Sequence, residues 1–270
     1  MTITDSPLPD KAVIGMIHVR PTPASPGNTG ESVEVLAAIA SQEARILADA
    51  GFDAVIIENM HDAPYIHGDR LGPEVVSAMT RVGLEVRHEI DLPIGVQILS
   101  GGNRHAIAVA QSVGGGFVRC ENFVFAHVAD EGLLGEAEAG PLLRYRREIG
   151  ASGIRVLCDI KKKHASHAIT SDISLAEAVR AAEFFGADGV IVSGASTGQA
   201  VAPDDLREAR GATDLPVIVG SGVTPDSVGG LLELADAVIV GSSIKKGGLW
   251  SNELDPARCA ALVQAARARK

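Results

Sequence analysis

Several short apolar runs in this chain end on residues able to move protons or carry charge. AVIGMIHV closes on His18, DAVIIEN on Glu58 and Asn59, and FVRCEN on Arg119, Glu121 and Asn122. IRVLCDI ends at Asp159 with Lys161 just beyond, and DGVIVSG ends on Ser193 and Gly194. Carboxylates beside cations suit general acid–base work, in which one group takes a proton while another steadies the developing oxyanion or enediolate. Side chains alternate along a strand, so Arg119 shares a face with Glu121, and Asp159 with Lys161, while Cys120 and Ile160 face the other way. With the charged faces inward, two cations and two carboxylates meet in one place, Glu58 stands across from them, and Gln97 of PIGVQIL lies deeper. The same residues would also make an ion-pair network that only satisfies itself. The sequence leaves both readings open.

A second constellation has no charge. VIVGSGV places Gly220, Ser221 and Gly222 after one apolar run, and VIVGSSIKKGG places Gly241, Ser242 and Ser243 after the next. Small residues let backbone N–H groups approach an anion, and a short helix starting at Ser242 would aim its positive end at the same point, so the pair of loops predicts a phosphate cradle. Tight turns are the plainer use of such glycines. Lys245 or Lys246 could add charge, and SGASTGQA offers Gly194 and Thr197 as further ligand contacts. IKKKHASHAITSD supplies Lys161 and Lys163, two apart, and then His164, a candidate acid or base because its charge changes near neutrality. A lysine beside another cation in an apolar site can lose its proton and act as base or nucleophile. The second loop holds His61, Asp62, His67 and Asp69 without the spacing of a zinc or calcium motif. No cofactor is indicated, and a divalent cation such as Mg²⁺ beside the phosphate is left open.

Residues so far apart in sequence need a frame that gathers strand ends. Eight apolar runs alternate with longer segments of helical period, starting at Ala12, Asp53, Pro93, Phe117, Ile154, Asp188, Pro216 and Asp236, with helices expected from near Glu31, Gly72, Asn103, Glu136, Ser174, Pro203, Thr224 and Asp255. Ser174 with Glu177 reads as a capping box, and Pro203, Pro225 and Pro256 suit first helical turns. ADAGFDAVIIEN, FFGADGVIVSG and ELADAVIVGS repeat one βα junction. Eight units predict an α/β fold, the (β/α)₈ or TIM barrel, as a single domain over residues 1–270 with 1–11 as an N-terminal extension. In such a barrel the strand ends surround one pocket, which is where the polar residues above fall.

Composition narrows the partners. Twenty-four Lys and Arg against thirty-four Asp and Glu give a net charge of −10, a field that repels nucleic acid. One Trp, two Tyr and six Phe leave little for base stacking. No apolar run approaches the roughly 20 residues of a transmembrane segment, and MTITDSPLPDK does not read as a leader. Three cysteines without CxxC spacing fit a reducing, cytoplasmic setting. Ala-rich outer helices favour a homo-oligomer.

IGMIHV, DAVIIEN, FVRCEN, DIKKKHA, GVIVSGASTG, VGSGVTPDS and AVIVGSSIKKGG together resemble the BtpA (BtpA/SgcQ) family from Ile14 to about Arg258. That resemblance implies a TIM barrel of the ribulose-phosphate-binding type. It also implies a role either in photosystem I biogenesis or stability, or in sugar metabolism beside phosphotransferase genes. The third strand departs from the family's usual VNVLRND, reading VQILSGGNRHA, so a shared substrate does not follow. The expectation is an enzyme of aldolase, isomerase or lyase type acting on a small phosphorylated sugar or nucleotide-like metabolite. Glu58, Arg119, Glu121, Asp159, Lys161 and His164 would be catalytic. His18, Asn59, Gln97, Asn122, Lys163, Ser193 and Thr197 would contact substrate. Gly194, Gly220, Ser221, Gly222, Gly241 and Ser242 would hold phosphate. A noncatalytic photosystem I factor with a ligand-sensing pocket is the alternative. Nucleoside phosphate hydrolysis is a further one, without a GxxxxGK[ST] loop to support it.

Overall fold

The computed structural model describes residues 8–194 and 200–268. Eight parallel strands close into a barrel: β1 (Ala12–His18), β2 (Ala54–Glu58), β3 (Ile94–Gln97), β4 (Phe117–Cys120), β7 (Arg155–Ile160), β9 (Gly189–Val192), β10 (Val217–Val219) and β11 (Ala237–Val240), with β11 pairing back onto β1. Helices α1 (Val33–Ala50), α2 (Pro73–Glu89), α3 (Asn103–Val113), α4 (Ala139–Glu148), α5 (Leu175–Phe184), α6 (Pro203–Ala212), α7 (Val228–Leu234) and α8 (Pro256–Arg267) follow the barrel strands in turn.

The start signals act as the sequence implies at three helices. Ser174 and Glu177 cap α5 reciprocally, Pro203 opens α6, and Asp255 accepts from Ala257 and Arg258 ahead of Pro256 in α8. At α7 the outcome differs. The Thr224 carbonyl takes the N–H groups of Ser227 and Val228, so a turn containing Pro225 comes first and the helix begins at Val228.

Alternation along the strands sorts the core into two layers. Outward residues such as Val13, Ile17, Val55 and Ile57 pack with Leu36, Leu47, Val82 and Ile107 of the helices. Inward residues Ile14, Met16, Ile56, Phe117, Leu157, Ile191, Ile218 and Ile239 fill the lumen. Gly95 makes room for one of them, since a Cβ there would stand 2.3 Å from the Phe117 ring. One step further along each inward face the character changes. Met16 is followed by His18, Ile56 by Glu58, Phe117 by Arg119 and Leu157 by Asp159, whereas Ile191 leads to Ser193, Ile218 to Gly220 and Ile239 to Gly241. The barrel has an apolar floor and a polar mouth.

One element lies outside the sequence-based expectation. Between β4 and α4 the chain forms a hairpin, β5 (His127–Ala129) and β6 (Gly132–Leu134), and β8 (Ala165–Ser166) from the loop after β7 adds to it as a third antiparallel strand in the order β6-β5-β8. This small sheet covers part of the mouth. Among the described residues no helix is long and apolar enough to cross a membrane.

Candidate active site

The strand ends enclose a cavity of about 590 Å³. Parallel register sets His18 beside Glu58 and Glu58 beside Gln97, and all three line it. Arg119, Glu121 and Asp159 complete this charged arc. Arg119 and Asp159 form a bidentate pair, Nε to Oδ2 and Nη2 to Oδ1 both at 2.8 Å, with both side chains buried. Burial works against the Arg119 charge, but the Asp159 carboxylate more than offsets it and holds the guanidinium firmly protonated.

The other two carboxylates are driven apart. Burial pushes Glu58 up to about 7, with the nearby charges of Arg119 and Lys163 only partly opposing it. Glu121 is buried as well, yet Lys162 Nζ at 3.1 Å and the Gly101 N–H at 2.9 Å more than offset that cost and bring it below its ordinary value. One acid near neutrality beside one held ionised is the arrangement that separates proton-exchange and charge-holding roles. Burial and the Arg119 charge lower Lys163 to about 8. Burial also lowers His18 to about 3. Its Nδ1 lies 2.9 Å from the Trp250 carbonyl, which can only accept, so Nδ1 carries the hydrogen and Nε2 faces Glu58 Oε2 at 3.6 Å.

The lysine run resolves differently from the expectation. β7 stops at Ile160, Lys161 takes a left-handed turn at φ 47°, and its Nζ donates to the Ile173 carbonyl at 2.5 Å, facing away from the main cavity. Lys162 and Lys163 line the cavity instead, with His164 at its edge. Asn122 shares a separate hollow of about 30 Å³ with Lys161, its Nδ2 donating to the Glu136 carbonyl. Asn59 is wholly buried and pins the Leu99 backbone in both directions, so it supports the wall without lining it. The Ser193 Oγ is buried behind Gly220, where any Cβ would come within 2.4 Å of it. Thr197 lies outside the described residues.

The glycine arc occupies the rest of the mouth. Gly220, Ser221, Gly222, Gly241, Ser242 and Ser243 line the cavity. The Gly220 N–H is spent on the Val192 carbonyl at 2.8 Å, so that glycine supplies space and no donor. Gly194 donates its N–H to Ser221 Oγ at 2.9 Å, which ties two loops together. Ser243 Oγ donates to the Val223 carbonyl at 2.6 Å. Gly222 sits at φ 71°, and the N–H groups of Gly222, Gly241 and Ser242 have no acceptor among the described residues. The expected helix at Ser242 is a single 3₁₀ turn, Ser242–Ile244. Neither neighbouring lysine adds charge here, because Lys245 is buried 3.6 Å from Glu43 and Lys246 pairs with Glu253. Arg258 lines this wall, with Nη1 3.3 Å from the Ser243 carbonyl and Nε 3.7 Å from Asp255 Oδ2.

Sequence reasoning missed Lys162, Arg258, Trp250 and the hairpin turn carrying Asp130 and Glu131, which also lines the cavity. Glu131 is held by Ser100 Oγ, by Lys162 at 3.5 Å, and through its carbonyl by His67 Nε2 at 3.0 Å. Two apolar pairs around the turn residues of HVADEGLL were the available signal. Of the loop-two residues, Asp62 accepts from both the N–H and the hydroxyl of Thr22 at 2.7 Å and so braces loop one. Among the described residues no group of three or more His, Cys, Asp or Glu is placed to hold a metal ion.

Fold and cavity define a closed eight-stranded α/β barrel with one deep charged site at the carboxyl ends of its strands. The chain belongs to the BtpA family, whose model matches residues 9–268. An uncharacterized mitochondrial protein of Caenorhabditis elegans is 41% identical over 91% of this chain and 89% of its own length. Photosystem I biogenesis protein BtpA of Synechocystis is 37% identical over 94% of this chain and 87% of its own. Among solved structures, (S)-3-O-geranylgeranylglyceryl phosphate synthase of Thermoplasma acidophilum superposes with a TM-score of 0.60 at 15% identity, covering 96% of this chain and 94% of that one. Phosphoribosyl anthranilate isomerase of Thermus thermophilus gives 0.58 at 12% identity, covering 96% and 100%. At such identities the likeness is one of fold.

Proposed function

We propose that this protein is an enzyme of aldolase, isomerase or lyase type acting on a small phosphorylated sugar or nucleotide-like metabolite. The observation that carries the reading is one cavity with two unlike walls. The first holds Glu58 and Lys163, both moved toward neutrality by burial, and the second holds uncommitted backbone N–H groups beside Arg258. The phosphate rests on the N–H groups of Gly222, Gly241 and Ser242, with the Arg258 guanidinium as counter-charge. The Glu58 carboxylate takes a proton from a carbon or hydroxyl of the substrate and Lys163 supplies one. Arg119, fixed in place by Asp159, steadies the oxyanion or enediolate that results. The fold relatives add support: the Thermoplasma synthase is known in complex with sn-glycerol-1-phosphate, and the name of the Thermus isomerase marks a phosphorylated substrate.

Thermal-shift screening with matched phosphorylated and dephosphorylated sugars and nucleosides tests the reading. Saturable stabilisation confined to phosphorylated members is expected. Equal stabilisation by both members of each pair would refute it. The name of the Synechocystis relative favours a second reading, a noncatalytic assembly factor whose cavity senses a ligand. Under that reading photosystem I components co-purify with wild type and with Glu58→Gln alike, and no ligand is turned over.

A further inference from the structure

The proposed reaction leaves one part of the cavity wall without a task. Met60, Tyr65, Leu99 and Trp250 line the same space as the charged arc and the glycine arc. A phosphoryl group and a short hydroxylated chain need no apolar wall, and about 590 Å³ falls within the roughly 300–1,000 Å³ that takes drug-sized ligands. The aromatic side chains are held in place. The Trp250 ring lies 5.0 Å from that of His61 at a 50° tilt and 6.2 Å from that of His18, edge to face. The Tyr65 hydroxyl donates to the Met60 carbonyl at 2.7 Å.

A second observation is independent of these rings. Gln97 is 3% exposed and lines the cavity, and its Oε1 has no hydrogen-bond partner among the described residues. Buried acceptors are almost always satisfied, so this one asks for a donor on the ligand. Flat apolar walls in the same cavity as an unsatisfied acceptor are what a planar ring carrying an N–H or O–H requires.

We propose that the cavity takes a phosphorylated compound bearing a planar ring, with the ring packed against Trp250 and an N–H or O–H donated to Gln97 Oε1. The inference rests on the phosphate reading and narrows it from phosphorylated sugars or nucleotide-like metabolites to ring-bearing phosphomonoesters.

Trp250 is the sole tryptophan of the chain, so its fluorescence reports occupancy of this wall. The full-length protein is titrated with AMP, UMP, ribose 5-phosphate, adenosine and uridine, with affinities from calorimetry and ring position from Trp250 emission. At least one nucleotide is expected to bind about tenfold or more tighter than ribose 5-phosphate, the scale of one aromatic stacking contact, and to change the emission. Trp250→Leu, followed by calorimetry, is expected to erase that difference while ribose 5-phosphate binds as before. The His18 contact runs to the Trp250 backbone carbonyl and is not removed by this change. Ribose 5-phosphate binding as tightly as both nucleotides would overturn the ring inference and leave the phosphate reading standing. Nucleosides matching their nucleotides, or no binding by any probe, would overturn both.

Discussion

The two arcs of the barrel mouth begin from the same apolar floor and end in opposite chemistry. On β1, β2, β3, β4 and β7 the inward alternation finishes on His18, Glu58, Gln97, Arg119 and Asp159. On β9, β10 and β11 it finishes on Ser193, Gly220 and Gly241. The first arc works with long side chains whose charges are buried and must be matched, so each setting depends on its neighbours. The second works with main chain brought close by small residues and depends on the absence of atoms. The charged arc should therefore fail when a group is removed, and the glycine arc when one is added.

Removing the group nearest neutrality should have the largest effect. Glu58→Gln is expected to lower turnover by about 10²- to 10⁴-fold, the range for a positioned acid or base, while the protein stays folded. The same variant has a signature in stability. Glu58 holds its proton to about pH 7 when folded, against an ordinary value of 4.5. Its contribution is therefore complete below about pH 4.5 and is lost as pH rises through about 7. Denaturant melts of Glu58→Gln should lack that decline. Turnover of the wild type should trace a bell with limbs near 7 and 8, values that belong to the coupled Glu58–Lys163 pair as a whole.

Arg119→Leu leaves Asp159 buried without its counter-charge, and breaking such a pair costs about 3–5 kcal/mol, measurable as a shift in denaturation midpoint. In the glycine arc, Gly222→Ala adds one methyl at φ 71°, a conformation costing an L-residue roughly 1–2 kcal/mol. It should raise KM for the phosphorylated substrate and leave kcat near wild type. If kcat fell and KM held, the division between the arcs would be wrong. The smallest effect separates neighbours. Lys161→Met should leave turnover within about twofold, because Lys161 faces Ile173, whereas Lys163→Met should cost about 10²-fold or more.

Much of this was legible in the sequence. The eight strands lie where β-branched runs fall, since fully buried parallel strands leave a continuous apolar trace. The inward placement of Arg119, Glu121 and Asp159 followed from period-two alternation. That rule holds only while the strand lasts. At Lys161 a left-handed turn resets the parity, and no pattern in KKK marks where it falls. Arg258 was hidden differently: it belongs to a helix that reads as surface, and only the fold of the preceding loop brings it to the mouth. Lys245 looked available beside the glycines, yet it turns beneath them to Glu43, a contact more than 200 positions away. The β5–β6 cover was overlooked because each of its strands spans three residues, too few to register as a periodic run.

Everything proposed for the cavity turns on an oxyanion sitting on the glycine arc beside the charged one. Amide chemical shifts of Gly222, Gly241 and Ser242, followed while ribose 5-phosphate and then ribose are added, test it most directly. Saturating shifts are expected at these three amides with the phosphorylated sugar and none with ribose. Shifts of equal size with both, or a phosphate response confined to another face of the barrel, would contradict it.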